Sequence, residues 1–154
     1  MTQSATDNRG TVQSLHLSIR MRQPMRDVDE AMAVPGAGLI GCRHSKPGSE
    51  RAVLLLESET IQDLALAPGE IKENITTRGI ALEPLKPGAQ IQVGETVILE
   101  VTGPCAPCHR MDEIRTGLQA ELQGRRGINT RVNVGGKIHP GDEIVVVKSG
   151  RTLP

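Results

Sequence analysis

Apolar residues recur mainly at every second position along this chain, the period of a strand with one buried face. In the stretch from Thr11 to Ile19, Val12 is followed, after the small Ser14, by Leu15, Leu17 and Ile19 on one parity. This predicts a first strand, with His16 on its other, solvent-facing side. Arg51–Leu56 is nearly all apolar, as in a strand covered on both faces. Ile91 and Val93, then Gly94-Glu95, then Val97, Leu99 and Val101 read as a hairpin. Gly127–Val134 and Ile144–Val147 are the last strands, with Gly135-Gly136 and Pro140-Gly141-Asp142 as turns.

Helical spacing occurs twice. Ile61, Leu64 and Leu66 predict a short helix over about Glu59–Ala67, stopped by Pro68-Gly69, and Ile114, Leu118 and Leu122 predict another over Met111–Gln123, ending at Gly124. The segment from Pro24 through Val34 reads as an irregular crossing or a short helical turn before Pro35. Glu73–Ile80 decides nothing by itself. Strands outnumber helices and are separated by Gly- and Pro-containing turns, so the expected fold is mainly β, a twisted barrel with two short helices. One domain is expected over residues 11–147, between a flexible N-terminal segment 1–10 and a C-terminal tail 148–154.

Composition narrows the partners. Phe, Tyr and Trp are absent, so the core is built from aliphatic residues and no aromatic platform can stack a base. Eighteen basic and eighteen acidic residues cancel. No global field then draws the chain to nucleic acid or to an anionic membrane, and neither partner is expected. Charge is uneven all the same: residues 57–100 carry eight acidic and three basic side chains, residues 103–137 six basic and three acidic. The second region suits a phosphate-bearing ligand. The polar N-terminus lacks the apolar core of a signal peptide, which predicts a cytoplasmic location. Three cysteines in a reducing compartment point to catalysis, metal binding or redox work rather than a disulfide framework.

Candidate chemistry gathers in Gly103-Pro104-Cys105-Ala106-Pro107-Cys108-His109-Arg110-Met111, where a strand hands over to a helical pattern. A thiol near a helix N-terminus, with Arg110 alongside, is favoured as thiolate, which makes Cys108 the candidate nucleophile. Cys42 and His44 are two apart, so an extended segment would turn both to one face. Cys42, His44, Cys105 and Cys108 would together complete a tetrahedral Cys₃His zinc site. Cys105 and Cys108 could instead act as a redox dithiol, although the βαβ context of such motifs is missing.

In order along the chain, the opening strand, Gly38-Leu39-Ile40-Gly41-Cys42-Arg43-His44, Arg51-Ala52-Val53-Leu54-Leu55, Glu73-Asn74-Ile75, Pro107-Cys108 and Arg126-Gly127-Ile128 through Gly141-Asp142 together resemble the MOSC family. This is the C-terminal domain of molybdenum cofactor sulfurases, found also as stand-alone bacterial proteins. The resemblance implies a twisted β-barrel whose cleft holds a functional cysteine, matched here by Cys108. It implies a persulfide sulfur carrier supplied by a pyridoxal-phosphate cysteine desulfurase and delivering to molybdenum cofactor or another metal–sulfur centre. In relatives resembling the amidoxime reducers, the matching cysteine ligates molybdenum directly and N-hydroxylated compounds are reduced. The family's usual Gly-Asp-Arg-His motif has Cys42 here in place of Asp.

Within that frame Cys108 is the expected nucleophile or molybdenum ligand, with His44 as proton acceptor and Arg110 as charge partner. Asn74 is expected either to bond a ligand or to fix its loop. Arg43, Arg131 and Lys137 are candidates, by charge, for the cofactor's phosphate.

Overall fold

The computed structural model describes residues 8–149, so most of the expected segments 1–10 and 148–154 lies outside the described residues, while Arg9 and Gly10 belong to the first strand and Lys148 to the last. Strands β1 (Arg9–Leu17), β5 (Val53–Glu57), β6 (Ile75–Arg78), β7 (Gln90–Val93), β8 (Val97–Pro104), β9 (Ile128–Val134) and β11 (Glu143–Lys148) form the main sheet in the order β11-β7-β8-β9-β5-β6-β1. Pairing of β1 with β11 closes that order into a seven-stranded barrel. All neighbours in the ring are antiparallel except β5 and β6, which are parallel. A parallel pair needs a crossover. Helix α1 (Ser58–Asp63) and the loop that follows it supply one.

Segment 24–34, expected as an irregular crossing or helical turn, instead forms two short strands. The first, β2 (Arg26–Val28), adds to β1, and the second, β3 (Ala31–Val34), pairs with β4 (Gly38–Leu39) and β10 (Gly136–Ile138) in a small second sheet. Three- and four-residue strands are too short to show a period in sequence. Gly135-Gly136 is accordingly not a hairpin turn: it carries the chain from β9 into this second sheet.

The barrel interior is mainly aliphatic and holds no aromatic side chain. Val53 and Leu55 point inward with Val12, Leu15, Ile91, Leu99 and others, while Leu56 packs outward with Ile61, Ile71, Met111, Leu118 and Leu122. Strand β5 is therefore covered on both faces, as its continuous apolar run requires. The parity break at Ser14 is real: a register shift between Val12 and Ser14 against β6 marks a bulge, which restores Leu15 and Leu17 to the core. β1 ends at Leu17, leaving Ile19 exposed.

His16 is not solvent-facing. It is buried, with Nδ1 2.7 Å from Asp27 Oδ1 and Nε2 2.9 and 3.1 Å from the Ser14 and Thr76 hydroxyls. Strand β2, absent from the sequence expectation, brings Asp27 opposite it. The expected helix Met111–Gln123 is two single turns, α2 (Met111–Ile114) and α3 (Leu118–Glu121). Arg115 between them is extended and Gly117 is left-handed at φ 89°, which breaks the helix there. The helical spacing survives because Met111, Leu118 and Leu122 all enter the outer apolar cluster. That cluster ties the chain just after Cys108 to β5 and α1.

Candidate functional site

A cavity of about 590 Å³ lies over the outer side of β5 and β9, with Leu54, Asn74 and Asn129 among its lining. Loops 19–25, 41–51 and 104–111 contribute the walls. Register explains the floor: Leu54 is paired with Asn129, and Val53 and Leu55 on either side point into the barrel, so Leu54 faces out.

Cys108 lines this cavity and is exposed. Cys105 lines it too, partly exposed. The segment between them is irregular but held at both ends, by Cys105 N–H donating to Gly127 O at 2.9 Å and Gln119 Nε2 donating to Pro107 O at 3.3 Å. The Cys108 carbonyl accepts from Met111 N–H at 3.0 Å. The helix expected after Cys108 is a single turn of four residues, so no long macrodipole points at the thiol. The nearby charge is instead supplied by guanidinium groups.

Six cations line the cavity: Arg22, Arg43, Arg51, Lys72, Arg110 and Arg126. Its one acidic lining residue is Glu113. Among the described residues, none of the six has a carboxylate oxygen within 4.0 Å. Arg126 is buried, donates from Nη2 to Ile71 O at 2.6 Å, and has no partner for Nη1. A buried guanidinium nitrogen left unsatisfied costs about 1–3 kcal/mol, which a bound anion would offset.

His44, Arg43, Arg110 and Asn74 are all brought to the cavity. Arg131 and Lys137 are not. Arg131 pairs with Glu100 at 2.9 Å across β8 and β9, and Lys137 lies 3.9 Å from Glu30 in the second sheet. Counting charge along the chain cannot see that Arg131, although on the same outer side of β9 as Asn129, sits farther along the strand and is engaged by Glu100. Of the four that take their place, Arg126 belongs to the basic 103–137 region and Arg51 to a segment of the family resemblance, whereas Arg22 and Lys72 carry no sequence signal beyond lying in loops.

Asn74 commits its amide internally. Oδ1 accepts from Leu54 N–H at 2.9 Å, and Nδ2 donates to His16 O at 3.1 Å and to Cys42 Sγ at 3.5 Å. Of its two expected roles, these bonds perform the loop-fixing one.

Cys42 and His44 do meet, though in a turn rather than an extended strand: Cys42 Sγ is 3.8 Å from His44 Nδ1, and His44 Nε2 is 3.3 Å from Arg43 Nη1. Cys42 is 5% exposed and is absent from the cavity lining. Burial raises its pKa, but hydrogen bonds from the His44 ring and from backbone N–H groups of His44 and Ser18, with the His44 charge, outweigh burial and lower it to about 7. The four residues Cys42, His44, Cys105 and Cys108 are not drawn into one zinc site. Among the described residues no group of three or more His, Cys, Asp or Glu side chains is placed to hold a metal ion. The reason is that the Cys42 sulfur is buried below the lining, whereas the other two thiols are on its surface loop.

A family model described as MOSC domain matches residues 43–145, more than half of the chain. The chain belongs to the MOSC domain family. Its match covers the Arg43-His44 turn, the cavity floor and both loop thiols. No match was found among curated proteins. Among solved structures, this MOSC domain is similar to the YuaD protein from Bacillus subtilis, with a TM-score of 0.78 and 18% identity over 88% of this chain and 94% of that one. YiiM from Geobacillus stearothermophilus gives 0.73 and 18%, over 90% and 75%, and YiiM from Escherichia coli gives 0.70 and 21%, over 95% and 72%. At these identities the likeness shows a shared fold. No helix among the described residues of the MOSC domain is long and apolar enough to cross a membrane.

Proposed function

We propose that this MOSC domain is a cytoplasmic sulfur carrier that holds a sulfane sulfur on Cys108 and hands it to an anionic acceptor in the adjoining cavity. The observation that carries this reading is an exposed thiol on a cavity whose six cations have no carboxylate partner among the described residues. Thiolate Cys108 attacks the outer sulfur of a donor persulfide, for which the family implies a pyridoxal-phosphate cysteine desulfurase. The donor S–S bond breaks, a new one forms to Cys108, and the donor cysteine leaves as thiolate. Arg110 lines the same cavity as a counter-charge for the persulfide anion, and His44, on that cavity too, would take the thiol proton once its Nε2 releases Arg43. Release of the outer sulfur as sulfide needs two electrons: a second thiol attacks the Cys108 sulfur, the persulfide S–S bond breaks with sulfide leaving, and the two thiol sulfurs supply one electron each as they join in a disulfide.

The acceptor implied by the family is molybdenum cofactor, and the residues present fit it. Arg126 has a buried unpartnered Nη1, and Arg43, Arg51 and Lys72 are placed to neutralise a phosphate. The volume of about 590 Å³ favours a second reading, in which the cofactor stays and Cys108 is its soft protein ligand. When bound, that cofactor would supply oxygen-atom chemistry toward N-hydroxylated compounds. This chain's residues would then hold its phosphate and exclude bulk water.

Mass spectrometry after incubation with a desulfurase and cysteine tests the first reading. One added sulfur on Cys108, absent in Cys108→Ser, is expected; a sulfur adduct persisting in Cys108→Ser sinks it. Elemental analysis of protein made in cofactor-producing cells tests the second: stoichiometric molybdenum lost in Cys108→Ser is expected, and zinc in its place would overturn it.

A further inference from the structure

The Cys42 sulfur is surrounded by donors. The Asn74 amide donates to it at 3.5 Å, and the His44 ring approaches from another side with Nδ1 at 3.8 Å. The backbone N–H groups of His44 and Ser18 also favour the anion. Two side-chain donors converging on one buried sulfur form a cradle that fits a thiolate better than an S–H group. The charged or titratable groups facing it are His44 and, behind that ring, Arg43; Asn74 and Ser18 on the remaining sides are neutral, and no carboxylate is among its hydrogen-bond partners.

We propose that Cys42 is a buried thiolate acting as a positioning anion, which keeps the hydrogen of the His44 ring on Nδ1 and leaves Nε2 as the ring's one acceptor. The thiol proton goes to solvent, and no redox step is involved. A thiolate accepts only, so Nδ1 must donate to it. Nε2 is then the acceptor for Arg43, consistent with the 3.3 Å separation. Cys42 is thus neither a second nucleophile nor a metal ligand, since it is 5% exposed and does not line the cavity.

The role of the His44 acceptor in sulfur transfer rests on the carrier reading above, whereas the thiolate and the tautomer do not. The test separates them. In a Cys105→Ser, Cys108→Ser protein, Cys42 is the sole thiol, and its ultraviolet thiolate absorbance should titrate with a midpoint about two pH units below the ordinary thiol value of 9.0. Absorbance that appears only in the ordinary range overturns the proposal. In parallel, nitrogen NMR of the His44 ring should show the Nδ1–H tautomer in the wild type. The signal should be lost in Cys42→Ala and restored in Cys42→Asp, where a carboxylate replaces the charge. An unchanged tautomer in Cys42→Ala overturns the positioning role. Should Cys42→Ala fail to fold, the thiol titration and the state of His44 in Cys42→Asp decide. Failure of sulfur loading with these results intact would remove the carrier reading alone.

Discussion

The Asn74 amide nitrogen Nδ2 lies 3.5 Å from the Cys42 sulfur while the same side chain joins β1 to β5, through His16 O at 3.1 Å and Leu54 N–H at 2.9 Å. One buried amide therefore fixes two strands and the turn that carries His44. Asn74→Ala should leave Leu54 N–H and His16 O unpaired in the interior. At about 1–3 kcal/mol for an orphaned buried group, the loss should come to about 2–4 kcal/mol of unfolding free energy. Urea denaturation measures this directly; a loss below about 1 kcal/mol would show that the bridge is dispensable.

The lowered pKa of Cys42 makes stability depend on pH. The folded thiol titrates at about 7 and an ordinary one at 9.0, so folding favours the deprotonated form. Its contribution is complete above 9.0, declines as the pH drops from there, and is gone below about 7. The separation corresponds to about 2–3 kcal/mol. Comparing wild type with Cys42→Ser by urea denaturation at about pH 6 and about pH 9.5 should show the stability gap widening by this order at the higher pH. Parallel pH profiles for the two proteins would refute it.

The cavity cations and the surface cations should separate in anion binding. Arg131→Gln removes a pair at 2.9 Å that is half-exposed on the arginine side, so it should leave phosphate binding unchanged and cost at most about 1 kcal/mol of stability. Arg126→Gln removes a buried guanidinium with a free Nη1, and phosphate affinity should fall about tenfold, equivalent to about 1.4 kcal/mol. Calorimetric titration with inorganic phosphate distinguishes the two. Equal effects would mean that the cavity is not where the anion binds.

The alternation in β7, β8, β9 and β11 and the continuous run in β5 put the barrel within reach of sequence reading, because each reports directly which faces are covered. The bulge at Ser14 was visible as a parity break. The second sheet was not, since its strands are two to four residues long. At the site, Cys108 and Arg110 are close in sequence, so their neighbourhood was legible. The environment of Cys42 depends on Asn74, 32 residues away across the barrel wall, and no local pattern encodes that approach. For the cations the limit is position along the strand: Arg131 faces the same outer side of β9 as Asn129 but pairs with Glu100 beyond the cavity, while Arg126, just before the strand, is buried and lines it.

Two glycines flanking Arg126 should respond very differently to the same change. Gly127 has φ +96°, and a Cβ there would run into the Leu55 carbonyl oxygen of β5, which cannot retreat without opening the pairing of β5 with β9. Gly124 has φ +79° but open space around it, so alanine there meets only the cost of a left-handed backbone, about 1 kcal/mol. Gly127→Ala adds a backbone clash and should cost about 3 kcal/mol or more. Because the Gly127 carbonyl also accepts from Cys105 N–H at 2.9 Å, any backbone retreat should carry the cysteine loop with it. Thermal unfolding of both variants, together with the rate at which Cys108 reacts with an alkylating reagent, checks the two parts. The expected result is a large stability loss and an altered Cys108 rate for Gly127→Ala, with a small loss and an unchanged rate for Gly124→Ala; similar behaviour of the two would mean that the contact with Leu55 does not fix the loop.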